Sequence, residues 1–134
     1  MKEKNLEYCL NSLLAYGLDY VGVINAQGRI VEHASKLLHL TPQKLEMLCM
    51  GIRLQHSMQS DFDEDLGGVN YIVTQRGNLK FVSMPVSSNV MLAIAKKDVD
   101  HSPLIQRMHS KQFADELKNH LDMYNIVAIG AKAP

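Results

Sequence analysis

The fold class of this chain follows from one stretch near its start, Tyr20-Val-Gly-Val-Ile-Asn25, Ala26-Gln-Gly28, Arg29-Ile-Val-Glu-His33. Its first and last parts are rich in β-branched residues, which favour strands. Gly28 supplies the positive φ that a tight connection between two strands needs. The stretch therefore predicts a β-hairpin, and the rest of the chain predicts the elements that surround it.

An amphipathic helix precedes the hairpin. Its apolar residues recur at intervals of three and four and form one stripe, made of Leu6, Cys9, Leu10, Leu13 and Leu14. Gly17 stands where a glycine ends a helix in the left-handed conformation. We expect the stripe to face the core.

A second helix follows the hairpin and carries more apolar surface than packing on a sheet requires. Thr41 is its predicted N-cap and Pro42 its first residue, and it runs to about Met58. One stripe comprises Leu45, Leu48, Cys49, Ile52 and His56. A second stripe beside it comprises Met47, Met50, Leu54 and Met58. The second stripe is covered either by loops or, in the favoured interpretation, by another subunit.

Three strands and a last helix come next. The strands are predicted at 69–74, 79–84 and 90–95, with turns at 76–78 and 87–89. Ser102-Pro103 repeats the cap-and-proline start of the second helix, and an imperfect apolar stripe continues to Leu121. The tail from Ile126 to Pro134 is apolar enough to dock as a short strand or coil.

The order of elements, αββαβββα, predicts an α+β domain with one five-stranded antiparallel sheet. Helices lie on both faces of this sheet. We expect the second helix on one face and the first and last helices on the other.

Composition points to a single domain inside the cell. The chain has 134 residues, and a hydrophobic content of 46% is enough for a core without disulfides or metals. Fourteen basic and fourteen acidic residues cancel, which argues against nucleic-acid binding. No segment has the features of a signal peptide or of a membrane span. We expect a cytoplasmic protein without membrane insertion, in which Cys9 and Cys49 are small buried hydrophobes.

No motif predicts a catalytic, cofactor or metal site. The acidic segment 61–65 has the spacing of calcium ligands, but Leu66 and Ile72 stand where a calcium loop needs Gly and Glu. The six histidines and two cysteines lack the paired spacing of zinc ligands. Neither Gly67-Gly68 nor any serine lies in a phosphate-binding or nucleophile motif. The sequence therefore predicts a protein that is not an enzyme and uses no cofactor.

The whole pattern resembles the roadblock/dynein light chain family. The best local match is Gly22-Val-Ile-Asn-Ala-Gln-Gly-Arg-Ile-Val31, where the family has an apolar strand, Asp/Asn-x-x-Gly and a second apolar strand. The resemblance continues through the second helix and the three strands. It covers about residues 3–121 and leaves 122–134 as a C-terminal extension.

The resemblance implies a function without chemistry. Members of the family are non-catalytic dimeric platforms that bind or regulate Ras-like small GTPases, or attach cargo to motors. Their dimers join two sheets edge to edge through the third strand and pack the second helices together. Carried over here, the joining edge comprises Gly68, Val69, Asn70, Tyr71, Ile72 and Val73. The helix contact comprises Met47, Met50, Leu54 and Met58, so the expected function is a homodimeric regulator or adaptor for a small GTPase.

A second hypothesis is a small-molecule sensor, because profilin-like ligand-sensing domains share this arrangement of sheet and helices. Such a domain needs a pocket between sheet and helix, for which Ser83, Asn70 and Tyr71 are the candidate polar residues.

Two features depart from the family, the C-terminal extension and the pronounced acidic segment 61–65. Either would block the family dimer if it covered the edge strand.

Overall fold

A computed structural model gives the architecture of the chain. It describes the backbone of residues 6–35 and 39–132 and the side chains of residues 6–35 and 39–121, so the predicted domain limits at residue 3 and Pro134 lie outside the described residues. The helices are α1 (Leu6–Leu13), α2 (Pro42–Ser60), α3 (Asp63–Leu66), α4 (Ser102–His109) and α5 (Lys111–Lys132). The strands are β1 (Leu18–Ile24), β2 (Ile30–Ser35), β3 (Ile72–Arg76), β4 (Leu79–Val86) and β5 (Asn89–Lys96).

The five strands form one open antiparallel sheet in the order β2-β1-β5-β4-β3. Strand β5 lies at its centre and is buried at every residue except Lys96. Strand β3 is at one edge and is exposed at every residue except the half-buried Ile72. The predicted five-stranded antiparallel sheet is confirmed.

Helices cover both faces of the sheet, as predicted. On one face, α1, α4 and α5 pack on alternate strand residues such as Val21, Val82 and Ala93. On the other face, Leu45 and Cys49 of α2 pack on the intervening residues. Because neighbouring strand residues point to opposite faces, each central strand contributes to both cores.

The β1–β2 hairpin has the geometry that its sequence predicts. Gly28 adopts a φ of 81°, and the Asn25 side-chain oxygen accepts hydrogen bonds from the backbone N–H groups of Gln27 and Arg29, both at 3.0 Å. Within β1, a Cβ atom on Gly22 would lie 2.5 Å from the hydroxyl oxygen of Tyr20. Glycine is required there because the buried tyrosine ring lies against its backbone.

The predicted end of the first helical segment and the predicted start of the second helix are confirmed. All five residues of the α1 stripe are buried, and Gly17 stops the following 3₁₀ turn (Leu14–Tyr16) with a φ of 86°. At the start of α2, the Thr41 hydroxyl accepts a hydrogen bond from the Lys44 N–H at 3.2 Å, and Pro42 is the first helical residue.

The third strand begins later than predicted. Residues 68–71 precede β3, so only Ile72 and Val73 of the predicted joining edge belong to the strand, which continues instead to Arg76. The β-branched run at 69–73 favours a strand by composition, but the cross-strand pairing with β4 begins at Ile72 and Ser83.

The predicted last helix is two helices. Ser110 has extended backbone and interrupts the helical path. Its hydroxyl donates a hydrogen bond to the Arg107 carbonyl and accepts one from the Phe113 N–H, so it ends α4 and caps α5. Ser102 was predicted as a cap but is the first residue of α4, and its N–H donates to the Asp100 carboxylate at 2.9 Å. The backbone is helical to Lys132, so the prediction of a strand or coil from Ile126 is wrong for residues 126–132.

Candidate functional site

The outer face of α2 carries an apolar stripe that the described part of the chain leaves exposed. Met47, Leu54 and Met58 have exposed fractions of 73%, 58% and 69%. On the opposite face of the same helix, Leu45, Cys49 and His56 are buried against the sheet. The sequence left two possible covers for the second stripe, loops of the same chain or another subunit. In the described part of the chain, no loop covers it.

Met50 differs from the other three members of the predicted helix contact. It is 45% exposed, because the hairpin turn leans on α2 at this point. A Cβ atom on Gly28 would lie 3.3 Å from the Met50 Cγ atom. On either side of this contact, the Arg53 Nε group lies 3.5 Å from the Ala26 carbonyl oxygen, and Arg29 pairs with Glu46 at 3.9 Å. Met50 therefore belongs partly to the contact between the hairpin and the helix.

Gly51 completes the exposed stripe. Met47, Gly51, Leu54 and Met58 follow one another at intervals of four, three and four, which places them on one side of α2 over a length of about 16 Å. A Cβ atom on Gly51 would meet no atom within 4 Å. Glycine in a helix interior costs about 1 kcal/mol relative to alanine. Nothing within the described subunit explains a glycine at this position.

The stripe lies beside the exposed sheet edge. A groove of about 240 Å³ separates α2 from β3 and β4, and Met47, Gly51, Thr74 and Arg76 are among its lining residues. Its floor includes Phe81 and Ser83. Helix stripe, groove and strand edge thus form one continuous surface, which we call the α2–β3 surface.

The polar residues predicted for a sensor pocket do not come together. Ser83 is buried under α2, whereas Asn70 is exposed in the segment before β3. The exposed Tyr71 ring lies instead edge-on to the His101 ring, with 6.1 Å between ring centres.

His56 and Ser83 form a buried polar contact that sequence reasoning missed. The His56 Nε2 atom lies 2.8 Å from the Ser83 hydroxyl oxygen. Burial, and secondarily the nearby Arg53 guanidinium, lowers the pKa of His56 below its usual value. The two residues are 27 positions apart on a helix and a strand, and neither lies in a motif, so no local signal joins them.

A second buried polar contact joins β1 to α2. The Tyr20 hydroxyl lies 3.2 Å from the His33 Nδ1 atom of β2, and it also interacts with the Cys49 thiol of α2. Burial raises the pKa of Tyr20 and raises that of Cys49 to about 11. Since the thiolate is the reactive form of cysteine, Cys49 is a poor nucleophile at neutral pH.

Two further observations concern the described residues as a group. No three His, Cys, Asp or Glu side chains among them are grouped so that they could hold a metal ion. None of the helices in the described range is both long and apolar enough to cross a membrane.

Solved structures with a similar fold exist, although no family model and no curated protein sequence matches this chain. The Roadblock/LC7 domain from Streptomyces avermitilis has a TM-score of 0.71 at 12% identity, covering 88% of this chain and 98% of that one. MglB from Myxococcus xanthus has a TM-score of 0.69 at 12% identity, covering 87% and 94%. The gliding protein MglB from Thermus thermophilus has a TM-score of 0.67 at 15% identity, covering 86% and 87%. A further MglB structure has a tetrameric arrangement.

Proposed function

We propose that this chain, which has the roadblock/LC7 fold, is a non-catalytic homodimeric module that binds a Ras-like small GTPase. The observation that carries the dimer is the exposed stripe on α2 beside the unpaired β3 edge. The GTPase as partner rests on what the roadblock resemblance implies. The tetrameric arrangement of one MglB adds support for self-association in proteins of this fold.

The exposed area of the apolar stripe determines how much free energy its burial in a dimer would contribute. Full burial of one large aliphatic side chain contributes about 1.5–3 kcal/mol, and a two-fold axis buries each side chain twice. Because Met47, Leu54 and Met58 are each more than half exposed, the stripe contributes on the order of 6–12 kcal/mol. Association costs roughly 4–15 kcal/mol in lost freedom. The stripe alone is therefore borderline, and a stable dimer needs further contacts.

Strand β3 is the source that we propose for those contacts. Its neighbour in the sheet is β4 on one side only, and an unpaired strand edge is a ready template for pairing. The predicted joining edge at 68–73 accordingly moves to Ile72–Arg76, where the backbone is a strand. Pairing of two β3 strands across the two-fold axis brings the two α2 helices together at Gly51, where absence of a side chain permits close approach.

The acidic segment does not cover this edge. It follows α2, which ends at Ser60, and contains most of the short helix α3; Asp61, Asp63, Glu64 and Asp65 are all exposed. Within the described side chains, the α2–β3 surface is therefore open to a second copy.

The proposal is tested first by the mass in solution, measured by light scattering over a concentration series. A stable mass near twice 15.1 kDa supports the dimer. A monomer at high concentration contradicts it.

The partner is tested next by pull-down with Ras-like GTPases of the source organism, loaded with GDP or a non-hydrolysable GTP analogue. Binding that is lost in a monomeric variant such as Leu54→Lys supports a dimeric GTPase-binding module. A dimer that captures none of these GTPases in either nucleotide state contradicts the GTPase assignment and leaves the dimer intact.

A further inference from the structure

A polar groove of about 320 Å³ lies at the C-terminal end of α2, apart from the exposed apolar stripe. Arg53, His56 and Ser57 line it from α2, and Asp63 lines it from α3. Its opposite wall is formed by the turn between β4 and β5 and includes Asn89. Helix, strand turn and connecting segment thus enclose a space large enough for a small metabolite.

Buried polar side chains converge at this groove. Apart from Tyr20 and the two cysteines, the buried polar side chains of the described residues are His56, Ser83 and Asn89. His56 and Asn89 are each only 6% exposed, and both line the groove. Ser83 lies behind His56 and holds its Nε2 atom at 2.8 Å. Burial of polar groups costs free energy unless they are hydrogen-bonded, and His56 and Ser83 meet this requirement through each other.

The side-chain amide of Asn89 is the group that lacks a partner. It makes no hydrogen bond to any residue of the described chain, although the side chain is more than nine-tenths buried. The amide is not sealed off, because Asn89 lines the groove. An amide offers two donors and one acceptor, which a molecule in the groove would satisfy.

The groove also holds one side chain of each charge. Neither Arg53 nor Asp63 forms an ion pair with another described residue. The Arg53 guanidinium makes one long contact, 3.5 Å from Nε to the Ala26 carbonyl oxygen, and no other hydrogen bond to the residues that the structure describes. Burial lowers the pKa of His56, and the lining also contains one arginine and one aspartate.

We infer that this groove binds a small zwitterionic metabolite, a compound with one carboxylate and one ammonium group such as an α-amino acid. The carboxylate binds at Arg53, the ammonium group binds at Asp63, and the Asn89 amide bonds a polar group between them. A polyphosphate fits poorly, because a single arginine would face several negative charges beside an aspartate. This inference goes beyond the proposed dimer and does not depend on it.

The test is titration of the purified full chain with each of the common protein amino acids, followed by thermal unfolding and by calorimetry. We expect at least one amino acid to raise the unfolding temperature and to bind with one molecule per chain. Propionate, propylamine and inorganic phosphate serve as probes that carry only one sign of charge. The expected affinity for each of them is lower by about tenfold or more, because one charged contact is lost.

Variants tie the binding to the groove. Asn89→Leu removes the amide at similar volume, and Arg53→Met removes the positive charge; each is expected to weaken binding about tenfold or more. Arg29→Met is the matched control, because Arg29 is also a surface arginine near the hairpin turn but lies outside the groove. The affinity of this control variant for the amino acid should be unchanged.

A readout on the unmodified protein protects the test against misfolded variants. On addition of the amino acid that binds, the NMR signals of the Asn89 side-chain amide should shift, and those of the exposed Asn11 amide should not. The inference is overturned if no amino acid binds, if a probe of one charge binds equally well, or if the Asn89 signals stay fixed. Light scattering on the same samples separates this outcome from failure of the dimer.

Discussion

Substitution of Gly51 tests the dimer most sharply, because it should change the stability of one subunit and the affinity of the dimer in opposite directions. A Cβ atom at this position would meet no atom within 4 Å inside the subunit. Gly51→Ala therefore removes the conformational cost of glycine without a clash. Within α2 this change should stabilise the folded subunit by about 0.8–1 kcal/mol.

In the proposed dimer the same methyl group would lie where the two α2 helices approach each other. Overpacking of a close contact costs about 1–3 kcal/mol, which corresponds to roughly 5- to 150-fold in the dissociation constant. Gly51→Leu has nearly the helix propensity of alanine but a much larger side chain, so it should weaken the dimer further. The two variants thus separate helix propensity from the space at the interface.

Two measurements check this prediction on the same proteins. Sedimentation equilibrium gives the dissociation constant of the dimer, and urea unfolding at concentrations below that constant gives the stability of the subunit. Gln59→Ala is the control, because Gln59 is an exposed α2 residue outside the stripe. If Gly51→Ala and Gly51→Leu both stabilise the subunit and leave the dissociation constant unchanged, the α2 stripe is not the interface.

The remaining predictions concern the stripe, the core and pH. Leu54→Lys should weaken the dimer at least about tenfold in sedimentation experiments, since it places a charge in the apolar contact, whereas Lys44→Glu should have a smaller effect; equal effects would refute the assignment. Gly22→Ala should lower the free energy of unfolding in urea by about 1–3 kcal/mol, because its Cβ atom would lie 2.5 Å from the Tyr20 hydroxyl oxygen; an unchanged stability would show that the ring moves without cost. Burial lowers the pKa of His56, so the stability that it contributes is complete above its unfolded pKa of about 6.5 and is lost as the pH falls toward the folded pKa. His56→Gln should therefore show a smaller loss of stability between about pH 7.5 and pH 5.5 than the unmodified chain, and equal losses would contradict this sign.

Local sequence signals predicted most of the fold. Gly28 and Asn25 specify the hairpin turn, Thr41 and Pro42 start α2, and Gly17 ends the first helical segment; each acts through its own backbone or through residues within a few positions. The prediction of a single last helix failed because one serine side chain competes for the backbone hydrogen bonds of the helix. Ser110 divides the last helix, because its hydroxyl bonds the backbone on both sides.

Boundaries that depend on a partner strand were less predictable. The run at 69–73 has the composition of a strand, yet β3 begins where its pairing with β4 begins, at Ile72 and Ser83. Composition describes what a residue tolerates, whereas a strand exists only where a neighbour supplies its hydrogen bonds. The joining edge that we propose is therefore Ile72–Arg76 and not the predicted 68–73.

The sequence by itself determined the order of elements, the single antiparallel sheet, the burial of one stripe of α2 and the presence of a second. These properties follow from periodicity and from turn and cap residues, which act over a few positions. Tertiary structure alone decided that Met50 leans on the hairpin while Met47, Leu54 and Met58 stay exposed. It also brought His56 to Ser83 and placed Asn89 in the same groove, because these contacts join elements that are distant in the chain.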